Sequence, residues 1–257
     1  MNESILERRW KKFKTLKRAY YSLVILAVLY ALSFLLPLLI NNRALIVKYN
    51  GELHFPIFSG YISGKEFGQD VPGEAKYRKL KDQFSGQMGS DNWVLMPPYP
   101  YSPYEDITTE GNKMYESPSM KHWLGTDNTG RDVFARLCYA FNISISFALI
   151  LTLINYVIGV LIGGTMGYFG GKFDLIFQRL IEVWSSLPML FVIIILSSIL
   201  KPSFLLLIGI YTLVNWISMT YLMRAEFYRE KSRAYVAAAL SMGQSNFKVM
   251  FKHILPN

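Results

Sequence analysis

Four long stretches without a single charged residue constrain the fold of this chain more than any other feature. They cover residues 21–40, 143–169, 183–200 and 203–223. An α-helix of about 20 apolar residues can cross the hydrocarbon core of a bilayer, and within lipid a helix satisfies its own backbone hydrogen bonds. The sequence therefore predicts an all-α membrane protein with four transmembrane helices. A signal peptide is an alternative for the first stretch, but no small-x-small cleavage site follows, so an uncleaved anchor is favoured.

Basic residues are distributed unevenly between the segments that join these stretches. Residues 1–20 carry seven Lys/Arg and two Glu, whereas residues 41–142 carry 11 Lys/Arg and 12 Asp/Glu. The positive-inside rule then predicts a cytoplasmic basic N-terminus (1–20), transmembrane helix 1 (21–40), a periplasmic segment (41–142), transmembrane helices 2–4 (143–223) and a cytoplasmic C-terminal loop (224–257). The net charge of +9 follows the membrane and its anionic lipid, which argues against nucleic-acid binding.

One β-hairpin is predicted in the periplasmic segment. Residues 43–49 and 52–55 are rich in strand-forming residues and flank Asn50-Gly51, a strong type I′ turn signal. Further on, Pro and Tyr cluster through residues 96–104, which is typical of loops and short turns. The segment is therefore expected to be an extracytoplasmic insert with a hairpin and with loops and short turns more than other regular elements. A small subdomain and a loosely ordered cap both stay open.

A capping box is predicted where this segment meets the second span. Thr129, with Asp132 three residues later, is expected to open the next helix. The acidic run at 127–132 lacks the spacing of a calcium loop. Cys138 is the single cysteine, so an intramolecular disulfide is excluded and a small packed side chain is expected.

No catalytic pattern is present elsewhere. His54, His122 and His253 are far apart in sequence and do not form a metal-ligand pattern. The acidic pair Glu105 and Asp106 lies in the Pro/Tyr-rich stretch, where solvated charges are expected. Residues 170–174 contain Gly-Gly-Lys but lack the other positions of a phosphate-binding loop.

Small residues on the second predicted span indicate close helix packing. Gly159, Gly163 and Gly167 recur every fourth residue, which lets another helix backbone approach closely. The neighbour could lie in this chain or in a second subunit.

Polar residues mark the third and fourth predicted spans. Glu182 is three residues from Arg179, so an ion pair between them at the membrane interface is favoured over a role in gating. Pro188 is expected to kink the third helix. The fourth span carries several polar side chains that could line a transport pathway or form interhelical hydrogen bonds. The pathway candidates are Asn215, Trp216 and Ser218.

The C-terminal residues predict two short helices with a turn at Gly243. Phe247, Met250, Phe251 and Ile254 form an apolar stripe at helical spacing, and Pro256 ends the second helix. Nothing later in this sequence covers the stripe, so a partner protein is its expected cover.

This pattern resembles the cytoplasmic coupling loop of ABC importer permeases. Ala237 stands where that family usually has Glu, and His253 where it often has Ile. In the family the loop docks as a helix in a groove of a separate ATPase subunit. The residues to which the resemblance assigns ATPase coupling are Ala237, Ala238, Ala239, Gly243, Phe247, Leu255 and Pro256.

Two other regions strengthen the resemblance. The run LGTD-x-x-GRD at 124–132 resembles the second permease subunit of dipeptide and oligopeptide importers, with Ala140 and Asn142 where that family typically has Gly and Arg. Residues 47–57 and 91–99 resemble the Yej-type branch, whose permeases are linked with import of peptides and the peptide antibiotic microcin C.

The resemblance implies a non-enzymatic transport subunit with a type I-like helical bundle, multi-pass in the bacterial inner membrane. Its partners would be a second permease subunit, an ABC ATPase, a periplasmic solute-binding protein and membrane lipid. No cofactor is expected on this chain, because ATP and Mg would bind to the partner ATPase. Closure of the ATPase would push on the loop and alternate outward and inward access.

Other classes of protein stay open at this point. A membrane-anchored receptor or sensor would bind its ligand on the periplasmic segment and would need no ATPase. A secondary transporter usually shows internal repeats, and none is found here. Family members continue after Leu-Pro-Asn with further spans, so a non-functional, truncated permease fragment is a further alternative for a chain ending at Asn257. If the chain is such a fragment, weak or no transport is expected.

Overall fold

The computed structural model describes residues 5–86, 91–106, 115–201 and 203–256. Residues 1–4, 87–90 and 107–114, Pro202 and Asn257, which belong to the segments predicted from the sequence, lie outside the described residues. The helices in chain order are α1 (Ile5–Thr15), α2 (Lys17–Ser33), α3 (Leu36–Leu39), α4 (Pro56–Ser59), α5 (Tyr77–Gly86), α6 (Val133–Phe169), α7 (Gly171–Ser185), α8 (Met189–Ile199), α9 (Phe204–Lys231), α10 (Ala234–Ser241) and α11 (Asn246–Lys248). The strands are β1 (Ile46–Tyr49), β2 (Glu52–His54) and β3 (Trp93–Leu95). The chain divides into two compact units, Met1–Ile145 and Ser146–Asn257.

Two helices, α6 and α9, are long and apolar enough to cross a membrane. Two bent pairs qualify as well if each is taken as one span: α1 with α2, bent by 103°, and α7 with α8, bent by 66°. The described residues therefore contain two to four candidate spans. This agrees with a helical membrane protein, while the number four stays a prediction.

Proline interrupts two of the predicted spans. Residues 21–40 are not one helix as predicted: α2 ends at Ser33, four residues before Pro37. Proline lacks an N–H, and its ring collides with the carbonyl four residues earlier. The predicted span 183–200 is likewise divided, because α7 ends at Ser185 and Pro188 precedes α8.

The first unit contains a small antiparallel sheet with strand order β2-β1-β3. Strands β1 and β2 form the hairpin expected at Asn50-Gly51, where both residues have positive φ, +50° and +86°. A type I′ turn requires this conformation at both central positions. Val47 on β1 is fully buried at the centre of the unit's core.

Helix α5 and strand β3 contradict the expectation of loops and turns in this segment. Tyr77, Leu80 and Phe84 lie on one face of α5 and are buried against the sheet. Their spacing of three and four residues is the signal of an amphipathic helix. The Pro- and Tyr-rich stretch that follows β3 hid this signal, because its composition suggested irregular structure throughout.

The acidic residue Glu105 is not solvated as expected. It forms a bidentate ion pair with Arg78, at 2.7 and 2.9 Å, and both side chains are only 17% exposed. The Arg78 guanidinium also lies 4.8 Å from the ring of Tyr101. A stretch without regular structure is therefore held on α5 by a charged contact.

Asp132 caps α6, and the capping box predicted at Thr129 is wrong. The Asp132 Oδ1 accepts a hydrogen bond from the Ala135 N–H at 2.8 Å, while the Thr129 N–H and hydroxyl both donate to Asp127 Oδ1. Helix α6 thus begins three residues later than a cap at Thr129 would require. An Asp at this position satisfies a free backbone N–H and favours the helix dipole.

The same carboxylate is the centre of a buried polar network that the sequence analysis did not identify. Asp132 Oδ2 accepts a hydrogen bond from the Tyr99 hydroxyl at 2.6 Å and lies 2.7 Å from His122 Nδ1. Burial and the hydrogen bond to Asp132 raise the pKa of Tyr99 well above its usual range, so it remains a donor. Tyr99, His122 and Asp132 thus join the residues before α6 to its first turn.

Candidate functional site

The C-terminal hairpin, residues 234–256, is the candidate site at which another protein could act on this chain. Helix α10 ends in a Schellman motif: the Gly243 N–H donates to Leu240 O at 2.9 Å, and the Gln244 N–H donates to Ala239 O at 3.2 Å. Gly243 has φ +75°, which is the left-handed conformation that this motif requires and that glycine adopts without strain. The predicted turn at Gly243 is therefore present.

The second arm of the hairpin begins at Ser245. Its hydroxyl caps α11 by accepting the Lys248 N–H, and the chain then continues as a π-helical turn over Val249–Ile254. At the end of this arm, the Leu255 N–H donates a hydrogen bond to Met250 O at 2.9 Å. Both arms are therefore short and are joined by a turn of fixed geometry.

The inner face of the hairpin is covered by the chain itself. A buried cluster joins the two arms to the end of α6 and to α9, and it consists of Tyr168, Phe227, Val236, Ala239, Val249, Met250 and Ile254. The expectation that the whole apolar stripe needs a partner is therefore wrong for Met250 and Ile254. These two side chains fall on the inward side because the turn at Gly243 folds the second arm back on the first.

Polar contacts fix the hairpin in this position. The Tyr168 hydroxyl donates to Asn246 Oδ1 at 2.8 Å, and His253 Nε2 lies 2.6 Å from Gln244 Oε1. At the base of α10, the Tyr235 hydroxyl donates to Glu230 Oε2 at 3.0 Å. Each arm is thus tied by side chains as well as by its apolar core.

The outer face of the hairpin remains exposed, and most of the predicted coupling residues lie there. Phe247 is 71% exposed and Leu255 is 41% exposed. Ala237, Ala238, Gly243 and Pro256 are exposed as well. Ala239 is the exception, since it is buried in the inner cluster. Large apolar side chains of the same hairpin, Leu240 and Met242, extend this exposed surface.

The glycines of α6 pack against α9 within this chain. A Cβ built on Gly163 would overlap the Thr220 carbonyl oxygen, and one on Gly167 would overlap the carbonyl oxygen of Arg224. A Cβ on Gly159 would overlap the Met219 side chain, at 2.3 Å from its Cγ. The neighbour that the sequence left open is therefore α9, and the two helix backbones meet at Gly163 and Gly167.

An ion pair that the sequence analysis missed lies beside this helix crossing. Arg224 on α9 donates two hydrogen bonds of 2.6 Å to the two carboxylate oxygens of Asp174 on α7. Gln178 donates to the same carboxylate at 2.9 Å. The sequence does contain a signal for this ion pair, because Asp174 and Arg224 each lie close to a charge-free stretch. It does not show that the two side chains are in contact.

Two of the residues suggested for a transport pathway donate hydrogen bonds within α9. Asn215 Nδ2 donates to Tyr211 O at 2.9 Å, and Trp216 Nε1 donates to Leu213 O at 3.0 Å. Ser218 and Asn215 are exposed on α9. Their role in a pathway stays a prediction. Glu182, by contrast, forms the favoured ion pair with Arg179 at 2.6 Å on the exposed side of α7.

Comparisons with known proteins cover the whole of this site. The sequence profile of the family described as "Binding-protein-dependent transport system inner membrane component" matches residues 159–257. This range holds the glycine face, α7–α9 and the C-terminal hairpin.

Similar proteins extend the comparison to the first unit. The Inner membrane ABC transporter permease protein YejE of Escherichia coli (strain K12) is 41% identical over 254 residues, which is 98% of this chain and 73% of that protein. The Peptidoglycan transport system permease protein YejE of Agrobacterium fabrum is 34% identical over 278 residues, 98% of this chain and 71% of that protein. The Oligopeptide transport system permease protein OppC of Lactococcus lactis subsp. lactis (strain IL1403) is 44% identical over 138 residues, 53% of this chain and 47% of that protein. The chain therefore belongs to the family of inner-membrane ABC transporter permeases.

Proposed function

We propose that this chain is a permease subunit of an ATP-driven importer of peptides or peptide-like compounds, and that its C-terminal hairpin docks on a separate ATPase subunit. The observation that carries this proposal is the division of the hairpin into two faces. The inner face is buried on α6 and α9, while Phe247, Leu240 and Met242 are exposed on the outer face. A partner bound to the outer face can therefore displace the ends of two candidate transmembrane helices at once.

The substrate class is inferred from the relatives. Two of their names specify oligopeptide and peptidoglycan transport. We propose peptides or peptidoglycan fragments as substrates, with microcin C as a further candidate. A second permease subunit and a periplasmic solute-binding protein would complete the importer, and the first unit's sheet would lie in the periplasm.

The docking proposal is tested by crosslinking in native membranes. Cysteines are introduced at adjacent positions of α10 in a Cys138→Ser background, as Ala238→Cys on the exposed face and Ala239→Cys on the buried face. We expect crosslinks from Ala238→Cys and from Phe247→Cys to a protein with a Walker A motif, and none from the matched Ala239→Cys. Crosslinks from the exposed positions to lipid or to this chain only, with the ATPase present, would contradict the proposal.

Transport and orientation are tested separately. Uptake of a labelled tripeptide and of a labelled muropeptide is measured in a strain lacking its own peptide permeases, with a free amino acid as the control. A protease-sensitive tag at the N-terminus should be cleaved only in inside-out vesicles, because the seven basic residues of 1–20 favour the cytoplasmic side. Cleavage in right-side-out vesicles would reverse the proposed topology.

A further inference from the structure

We propose that α1 lies along the inner surface of the membrane and binds anionic phospholipid headgroups. The inference rests on the proposed cytoplasmic position of the N-terminus, and it gives α1 a partner of its own, separate from the ATPase. Three observations carry it: the angle between α1 and α2, the aromatic cluster at their junction, and the arrangement of basic residues around α1.

The angle places α1 near the membrane plane. Helices α1 and α2 are bent by 103° relative to each other. If α2 belongs to a transmembrane span with the usual tilt of about 20°, α1 lies closer to the plane of the bilayer than to its normal. An amphipathic helix in that orientation contacts the boundary between headgroups and acyl chains.

Aromatic side chains hold the junction. The rings of Trp10 and Phe13 stack at 5.6 Å, and Tyr20 at the start of α2 meets both of them edge-on, at 6.3 and 6.4 Å. Backbone hydrogen bonds at Leu16 continue across the break, with its N–H donating to Phe13 O and its carbonyl accepting from the Tyr20 N–H, both at 3.0 Å. The bend is thus fixed by packing and by hydrogen bonds on both sides.

The faces of α1 suit the surface of an anionic leaflet. Trp10 and Phe13 are three residues apart and share one face, and Trp10 is 48% exposed. Aromatic rings with a polar edge favour the interface between lipid and water. With 3.6 residues per turn, Arg8, Lys11 and Lys12 fall on the side opposite the rings, whereas Arg9 and Lys14 flank them.

The excess of positive charge selects the ligand. Within α1 the basic residues outnumber the acidic ones by five to one, with Glu7 as the single acid. Neutral lipid would bind the rings but would not balance the net positive charge of α1 at the surface. Phosphate-bearing anionic lipids provide one, and each basic residue near such a surface adds favourable binding energy.

The test uses the full chain in nanodiscs, with a spin label at Phe13→Cys in the Cys138→Ser background. The label's access to oxygen and to a water-soluble nickel chelate is measured in phosphatidylcholine alone and in phosphatidylcholine mixed with phosphatidylglycerol. We expect the label at position 13 to be buried in lipid when phosphatidylglycerol is present. At high salt, which screens surface charge, the label should become more accessible to water. A second label at Lys12→Cys should stay accessible to the chelate.

Two matched triple variants test the charge. R8Q/K11Q/K12Q should lower the ratio of membrane-bound α1 to water-exposed α1 by about 100-fold in the lipid that contains phosphatidylglycerol, at low ionic strength. K65Q/K79Q/K81Q removes three exposed charges from the first unit's sheet region and should leave the ratio unchanged. The charge-keeping variant R8K/K11R/K12R should behave as the unsubstituted chain, which shows that a loss comes from charge and not from misfolding.

Three results would overturn the proposal. The label could be water-exposed in both lipids, so that α1 does not lie on the membrane. It could be buried equally in neutral and anionic lipid and be insensitive to salt, so that charge has no part. It could be protected only when other subunits are present, so that α1 binds protein. None of these readouts requires transport, so the proposed function can hold or fail independently.

Discussion

Arg224 and Asp174 join α9 to α7 through two parallel hydrogen bonds of 2.6 Å, next to the point where Gly167 brings α6 against α9. Both side chains are partly shielded, at 33% and 14% exposed. A bidentate arginine–carboxylate pair fixes orientation as well as distance. Three helices are thus joined at one level of the second unit.

We expect Asp174→Asn to destabilise the second unit by about 1–3 kcal/mol, because it leaves the Arg224 guanidinium partly buried without its carboxylate. Thermal unfolding of the purified chain measures the loss. The matched control is Glu182→Gln on the same helix, whose pair with Arg179 is largely exposed and should contribute less than about 1 kcal/mol. Equal effects of the two substitutions would show that the Asp174 pair has no special role.

Gly163→Ala should separate α6 from α9. The added methyl group would overlap the Thr220 carbonyl oxygen and lie 3.0 Å from the Arg224 nitrogen, and backbone atoms cannot move aside as a flexible side chain can. We expect a loss of about 1–3 kcal/mol, typical of overpacking. Gly209→Ala on α9 has open space around the new methyl group and should instead be neutral or stabilising by up to about 1 kcal/mol. Thermal unfolding of the two variants in the same lipid distinguishes these outcomes.

The two faces of the C-terminal hairpin should respond differently to truncation. Met250→Ala empties a buried position and should cost about 2–5 kcal/mol of stability. Phe247→Ala removes an exposed ring and should change stability by less than about 0.5 kcal/mol. If the outer face docks on the ATPase, Phe247→Ala should weaken that association at least tenfold, as loss of an aromatic anchor does. Co-purification of the ATPase with a fully folded Phe247→Ala chain at unchanged yield would argue against docking there.

The loop before α6 should lose stability in acid through Asp127. Although partial burial acts to raise it, the pKa of Asp127 falls to about 2, because the N–H groups of Arg131 and Thr129 and the Thr129 hydroxyl donate to the carboxylate and Arg136 pairs with it. An unfolded Asp has a pKa of about 3.9. The stabilising contribution is therefore complete above about pH 4 and is lost as the pH falls towards 2.

Hydrogen exchange of residues 127–135 between pH 4.5 and 2 measures this loss once the intrinsic rate is corrected. Asp127→Asn should show weaker protection at pH 4.5 and a flatter dependence on pH. The same slope in both forms would assign the acid response to another group.

The sequence predicted several elements for which one local rule decides the structure. Asn50-Gly51 requires positive φ and forms the hairpin, and Gly243 likewise forms the turn between α10 and α11. Charge-free stretches identified α6 and α9, although polar residues extend both helices beyond the apolar run. The break at Pro37 was missed because hydropathy averages over a residue whose effect is steric.

Long-range relationships could not be predicted from one sequence. The glycines predicted a close neighbour, but the structure was needed to show that it is α9. The ion pair of Asp174 with Arg224 and the network of His122, Asp132 and Tyr99 join residues far apart in sequence. The burial of Met250 depends on the direction in which the hairpin folds back, which its helical periodicity does not specify.

The close contact of α6 with α9 at Gly163 and Gly167 also limits where this chain can deform. Where main chains touch, no side chain lies between them that could change its rotamer and absorb a displacement, so α6 and α9 should tilt together as one lever. The hairpin contacts both through Tyr168 and Phe227 and would push on that lever at its end. We then expect bending at the break at 186–188, where α7 and α8 already meet at 66°.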